Sequence, residues 1–266
     1  KQWFIKHPAF YSFSPRPEAA EEITDRIKDI AYSLTVEEFM ELPPLVVNDI
    51  KVDLPSKARK AYRDFERDAC TSLAGVGDIP ATTAADVVNK WLQIANGALY
   101  VGDDPKRRET ALIHDAKLEA LESVIEESAG EPQLVAYKFK SDLARIKKRF
   151  PFAVDVADDD NVVDRWNNGE IQLLTINPAG NAEGLNLQYG GRAITFFSLT
   201  WNYNDYEQVI ERLGPTRQAQ SGLNRTVYVN RILANDTVDF DILDVLSKRK
   251  SLQELIYEKT RKYKNG

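Results

Sequence analysis

Apolar positions along the chain follow two regimes, and the change between them falls near residue 108. Before it the spacing is mainly helical. Ser56 is placed to cap a helix whose stripe is Ala58, Ala61, Tyr62 and Phe65, at i, i+3, i+4 and i+7. A second helix is marked more fully: Thr83 offers an N-cap, Ala84, Val87, Val88, Trp91 and Ala95 form one apolar face, and Gly97 supplies a stop. Between the two, AGVGDIPATT reads as an exposed loop. One segment breaks the helical texture: Ile50, Val52 and Leu54 alternate just after Leu42-Pro43-Pro44, which predicts a strand.

From Glu109 onward, helical and strand-like patterns alternate. Leu118, Leu121, Val124 and Ile125 mark a helix, LVAYKF (134–139) a strand, and 142–150 a further helix. Short runs rich in branched and aromatic residues follow: FAVDV (152–156), IQLLTI (171–176), AITFFS (193–198) and TVYVNRIL (226–233). A helix with Val238, Ile242, Val245 and Leu246 on one face and a charged tail, KTRKYKNG, close the sequence. This alternation predicts an α/β domain over 109–266, with a parallel sheet covered on both faces, after a mainly helical region over 1–108.

The 266 residues are enough to bury a sizeable core, and 43% hydrophobic with 29% charged residues is ordinary for a globular protein. No run approaches the roughly 18 apolar residues of a membrane helix. The opening KQWFIKHPAFYSF lacks the apolar core and small-residue cleavage site of a secretory signal, so the visible start reads as an interior segment or an expression boundary. A single cysteine, Cys70, fits a reducing compartment, and with only His7 and His114 beside it a structural zinc site is close to excluded.

A net charge of −6 does not advertise nucleic-acid binding, which depends on local basic density. That density exists at Lys138, Lys140, Arg145, Lys147, Lys148 and Arg149, followed by Asp155, Asp158, Asp159 and Asp160. Both groups have a plain reading as solvated faces and a chemical one, phosphate contact for the first and metal-assisted hydrolysis for the second. Nowhere does Gly-x-x-x-x-Gly-Lys-Ser/Thr occur, and no Asp-Glu-x-His box is present. Phosphoryl transfer from ATP needs a backbone cradle, a lysine and a carboxylate-held magnesium ion, so this sequence cannot supply all of that chemistry alone.

Two stretches carry a more specific signal. The loop after IQLLTI is NPAGNAEGLNLQ, containing Gly184-Leu185-Asn186-Leu187. After the next strand, Trp201-Asn202 leads into YNDYEQVIERL, whose Tyr206, Val209, Ile210 and Leu213 share a core face, while Gln208 and Arg212 are i, i+4 neighbours on another. Gly214-Pro215-Thr216-Arg217-Gln218-Ala219-Gln220 follows. Together these resemble motifs V and VI of the Swi/Snf-type DNA-dependent ATPases, most of all the compact versions of phages and prophages. Ala182 stands where that family usually has glycine, and two extra residues separate Arg212 from Arg217. HDAKLEALESVIEE with QLVAYKFKSDL, RWNNGEIQLL and LANDTVDFDIL extend the resemblance over most of 109–247, and 26–67 resembles, more loosely, the segment leaving the first lobe.

The resemblance implies a RecA-like second lobe. Arg217 and Arg212 would reach the ATP phosphates. Gly184, Asn186, Gln208 and Gln220 would lie near the nucleotide, and Lys138, Lys140, Gly180 and Asn181 would contact the DNA backbone. It further implies ATP and magnesium as cofactors shared with a first RecA-like lobe, sequence-independent binding of duplex DNA, a monomer and a cytoplasmic setting. A binding module without ATP turnover and a protein-docking lobe are the alternatives.

Overall fold

The computed structural model describes residues 4–6, 13–16, 18–27, 41–73, 80–102, 109–181, 184–248 and 252–265. It divides into two compact units, 1–41 and 42–266. The smaller pairs strand β1 (Phe4–Lys6) antiparallel with β2 (Phe13–Pro15) and adds helix α1 (Ala19–Ile27). Arg16 and Glu22 form an ion pair at 2.9 Å within it. These two strands lie within the region read from the sequence as mainly helical.

The larger unit begins with β3 (Leu45–Val52), α2 (Ser56–Leu73) and α3 (Ala81–Asn96). A hairpin of β4 (Ala98–Val101) and β5 (Glu109–Leu112) leads to α4 (Ala116–Glu127). Alternation then sets in: β6 (Gln133–Ala136), α5 (Lys140–Arg149), β7 (Val154–Asp155), α6 (Val162–Asn167), β8 (Leu173–Ile176) and the short α7 (Pro178–Asn181). The chain continues through β9 (Ala193–Phe196), α8 (Tyr203–Leu213), α9 (Pro215–Gln220), β10 (Val227–Ala234), α10 (Val238–Lys248) and α11 (Leu252–Asn265).

Six strands form one parallel sheet in the order β3-β10-β9-β6-β8-β7. Strand residues alternate between two cores, as the two-residue period of a strand requires. Leu134 and Ala136 of β6 enter a large cluster with α2, α3, α8, α10 and α11, whereas Val135 joins a smaller one with α4 and α5. The sheet is therefore covered on both faces, as the alternating pattern predicts.

The boundary expected near residue 108 falls inside this unit. Strand β3, read from the sequence as part of the helical region, pairs with β10 along its whole length, from Leu45 opposite Val227 to Val52 opposite Ala234. Two details of the helices also differ from expectation. On α2 the buried positions are Ala58, Tyr62, Glu66 and Cys70, four apart, while Ala61 is exposed. Glu66 is tolerated there because Lys259 of α11 reaches its carboxylate at 2.6 Å, itself held by Asp241 at 2.7 Å. Helix α3 starts at Ala81, directly after Pro80, so Thr83 lies in its first turn and does not cap it. Its end is as expected: Gly97 is left-handed with φ 97°, and its N–H closes on the Gln93 and Ile94 carbonyls.

Beneath the carboxyl ends of the central strands lies a buried polar network. Lys117 of α4 meets Asp239 of α10 at 2.6 Å with both side chains fully buried, and donates to Asn96 Oδ1 at 2.9 Å. The Asn96 amide in turn donates to Asp142 (3.1 Å) and Ser198 (2.9 Å). One oxygen of Asp142 accepts from Asn96 and from the Phe139 N–H, while the other is buried with no partner among the described residues. Burial pushes the Asp142 carboxyl up to about 6, against the pull of the Phe139 N–H, Lys117 and Arg145.

Candidate functional site

Open parallel sheets gather their ligands beyond the carboxyl ends of the strands. Here the segments following β6, β8 and β9 come together around a cleft of about 240 Å3, lined by Asn89 of α3 and by Lys138, Phe139, Asn177, Ser198 and Thr200. The Asn177 amide donates to the Lys138 carbonyl at 3.3 Å, tying the β8 loop to the β6 loop. Lys138 lies two residues past β6, with its ammonium 3.6 Å from the centre of the Trp201 ring. Burial pushes its pKa down to about 8, opposed by the carboxylates of Asp205 and Asp142. Lys140, expected at the end of the same strand, instead opens α5 and is exposed. Gly180 and Asn181 sit in α7, with Gly180 exposed and its N–H on the Asn177 carbonyl at 3.3 Å.

The rest of the basic group is largely occupied internally. Arg145 is buried and donates to the carbonyls of Asn96 (2.5 Å) and His114 (2.7 Å) and to Asp115 (2.9 Å). Lys147 pairs with Asp158 at 2.7 Å, and Arg149 pairs with Glu122. The acidic run is spent similarly: Asp155 is buried and accepts from Thr175 Oγ1 at 2.7 Å, and Asp159 holds Arg165 at 3.1 Å. Among the described residues no group of three His, Cys, Asp or Glu is placed to hold a metal ion.

A second constellation lies at the loop after β8 and α7. Gly184 is exposed with φ 77°, Asn186 is exposed as well, and Leu187 is fully buried. Helix α6 fixes this loop. The Trp166 indole donates to the Leu187 carbonyl at 2.8 Å, and the Asn167 amide donates to the Asn186 carbonyl at 2.8 Å while its oxygen accepts from the Gly190 N–H at 3.1 Å. Gly190 lies so close over the indole that a Cβ there would fall 2.4 Å from its atoms. RWNNG belongs to a stretch that extends the resemblance, but no spacing within it marks Trp166 and Asn167 as the residues that hold this loop.

Helix α8, capped by Asn202 accepting from the Asn204 N–H at 3.0 Å, buries Tyr206, Val209, Ile210 and Leu213 as its spacing predicts. It turns at Gly214 into α9, which starts with proline at its first position. The stretch between Arg212 and Arg217 is thus a junction between two helices. Arg212 is buried and donates to the Leu185 carbonyl at 3.3 Å. Arg217, on the next helix, reaches Asn186 Oδ1 at 3.5 Å. Both arginines therefore converge on successive residues of one loop. Gln208 is half-buried one turn before Arg212, and Gln220 is exposed at the end of α9.

The glutamine that does most to fix this region is Gln218, which no sequence motif points to. It is fully buried and donates toward the carbonyls of Leu213 (3.1 Å), Gln188 (3.2 Å) and Gly191 (3.3 Å), while its oxygen accepts from Arg225 at 3.0 Å. Arg225 also donates to the Gln188 carbonyl at 2.6 Å. The loop after β8 is thus clamped by α6 on one side and by α9 with Arg225 on the other.

This arrangement of six parallel strands with the loops of β6, β8 and β9 at one edge has solved counterparts. The C-terminal part of the Fun30 ATPase domain superposes with a TM-score of 0.60 at 13% identity, over 83% of this chain and 99% of that one. The chain has a RecA-like fold. A similar fold occurs in the Sulfolobus solfataricus SWI2/SNF2 ATPase core in complex with dsDNA (TM-score 0.55, 15% identity, 93% of this chain and 54% of that one). It also occurs in the Pyrococcus furiosus Hef helicase domain (TM-score 0.54, 15% identity, 89% and 65%). No family model matches the chain. In sequence it is 41% identical over 246 residues to "Putative protein p41" of Acyrthosiphon pisum secondary endosymbiont phage 1, over 92% of this chain and 53% of that protein. The chain thus spans about half the length of this curated relative and of the SWI2/SNF2 core. None of its described helices is long and apolar enough to cross a membrane.

Proposed function

We propose that this RecA-like sheet is the second lobe of a DNA-dependent ATPase of the Swi/Snf type, coupling ATP hydrolysis to movement along duplex DNA. The observation that carries the reading is the convergence of Arg212 and Arg217, from two successive helices, on Leu185 and Asn186 of one clamped loop. A loop fixed on both sides and fronted by two guanidinium groups is suited to an anion whose charge changes during reaction, because the donors need little reorganisation. Arg217 is the better placed for a transferring phosphoryl group: it is half-buried and held loosely, at 3.5 Å, by a neutral amide. Arg212, buried against a backbone carbonyl, orients the loop as well as adding charge.

The phosphate cradle, its lysine and the carboxylates for magnesium would belong to a first lobe outside these 266 residues. Duplex DNA would lie against the cleft after β6 and β8, with Lys138 and Asn177 meeting backbone phosphates, and Lys140 and the α7 residues Gly180 and Asn181 at its margin. Contacts of that type position a duplex without reading its sequence. The likeness to the Fun30 and SWI2/SNF2 structures, together with the half-length match to the phage protein, supports this reading of the fold.

The reading is tested by comparing ATP turnover of the 266-residue chain with that of the full-length parent protein, each with and without duplex DNA. Turnover stimulated by DNA in the parent and none in the chain is expected. Turnover by the pure chain, lost on a point substitution within it, contradicts the proposal.

A further inference from the structure

Away from the carboxyl-terminal edge, the sheet carries a row of polar side chains where a parallel sheet normally shows aliphatic ones. On the face covered by α4, Asn48 of β3 donates to Asn230 of β10 at 3.1 Å, and Asn230 extends toward Thr195 of β9 at 3.5 Å. Thr195 in turn donates to Gln133 of β6 at 3.1 Å. The row follows the strand register, Asn48 opposite Asn230 and Asn230 opposite Thr195. Thr195 is fully buried and Gln133 is 2% exposed, so these two are interior groups.

Helix α4 roofs only part of this face. It packs on β3 and β10 and ends at Glu127, where Ser128, Ala129 and Gly130 turn the chain back toward β6. The uncovered part is a groove of about 450 Å3, within the range of small-molecule sites. Three carboxamides of the row, Asn48, Gln133 and Asn230, line it, with Ile50 and Ala193 as apolar floor. Tyr228 presents a half-exposed ring at its side, 5.8 Å from the Arg192 guanidinium.

We propose that this groove binds an uncharged planar heterocycle of the nucleobase or nucleoside class, at a site separate from the arginine pair. A carboxamide offers a donor and an acceptor side by side, the complement of a base edge, and the bonds within the row leave N–H groups and lone pairs of Asn48 and Asn230 unused. Tyr228 supplies the flat surface on which such a ring stacks. The charges select against phosphate: Arg192 is paired with Glu131 at 3.2 Å, and Glu127, which also lines the groove, adds a negative charge.

The test is an NMR titration of the 266-residue chain with adenosine, guanosine and cytidine, alongside AMP and free ribose. Shifts confined to the side-chain amides of Asn48, Gln133 and Asn230 and to the Tyr228 ring are expected for at least one nucleoside, with weaker binding of AMP. Tyr228→Ala, at a half-exposed position, should weaken binding about tenfold, the scale of one base stacked on an aromatic ring, and Asn230→Leu should abolish it. Arg217→Ala should leave the titration unchanged, which separates this site from the proposed ATPase function. No shift of these signals with any nucleoside at about 10 mM, a concentration that detects millimolar affinity, overturns the proposal. Equal shifts with ribose, or tighter binding of AMP than of adenosine, overturn it too.

Discussion

Arg217 Nη1 lies 3.5 Å from Asn186 Oδ1, although 31 residues separate them in sequence. The bond joins the first turn of α9 to the loop after β8, and it sits one residue along from the bond between Arg212 and the Leu185 carbonyl. A helix junction at Gly214 and Pro215 makes both possible at once, because a single continuous helix would carry positions 212 and 217 to different faces.

Arg212 and Arg217 should therefore respond differently to removal. Arg212→Ala takes a buried guanidinium from a backbone carbonyl and should cost about 1.5–3 kcal/mol of stability in addition to turnover. Arg217→Ala should leave the melting temperature nearly unchanged. Thermal unfolding of both variants checks this, and equal destabilisation by the two would remove the distinction between them.

The clamp on the β8 loop is open to the same kind of measurement. Gly190→Ala would force a methyl group into the Trp166 indole and should cost about 1–3 kcal/mol, with a change in tryptophan fluorescence. Trp166→Ala should cost more, about 3–5 kcal/mol, through the cavity and the broken bond to Leu187. Denaturant unfolding measures both, and a neutral Gly190→Ala would show that the loop is not held against the indole.

Asp142 gives stability a pH dependence opposite to that of an ordinary ion-paired carboxylate. Its folded pKa, about 6, lies above the ordinary carboxylate value, so between about pH 4 and pH 6 the folded state binds the proton that the unfolded state has released. Stability from this group is present below that window and is lost as pH rises through it, by on the order of 2–3 kcal/mol at most. Asp142→Asn should remove that fall. Unfolding free energies of wild type and variant across about pH 4–7 test it; parallel profiles would mean that the pKa of Asp142 is not raised in the folded state.

Lys138, with its pKa pushed down to about 8, should lose part of its charge at mildly alkaline pH. Duplex affinity should fall between about pH 7 and pH 9, and Lys138→Ala with Lys140→Ala should lower the log-log salt slope by about one for each phosphate no longer neutralised. Unchanged affinity and slope in the double variant would take both lysines out of the DNA path.

Much of this architecture is legible in the sequence because it is local. The strands after residue 109, the core face of α8 and the stop at Gly97 all follow from residues within one or two turns of each other. What the sequence does not display depends on partners far along the chain. Strand β3 is an edge whose Leu45, Val46 and Val47 remain exposed, so its own pattern gives no hint that it pairs with β10. Arg145 reads as one of a basic cluster because its acceptors, Asn96 and His114, come from another helix and from the segment before α4. Gln218 reads as a spacer between Arg217 and Gln220, yet it is buried on three carbonyls that the fold brings together.

The role of Arg217 at the transferring phosphate is tested by steady-state ATP hydrolysis in the full-length parent protein carrying Arg217→Ala, measured with saturating duplex DNA beside a DNA-binding titration. A fall in kcat of roughly a thousandfold or more, the scale of an arginine that stabilises phosphoryl transfer, with duplex affinity nearly intact, is the expected result. Wild-type turnover in that variant would remove Arg217 from the chemistry of ATP hydrolysis.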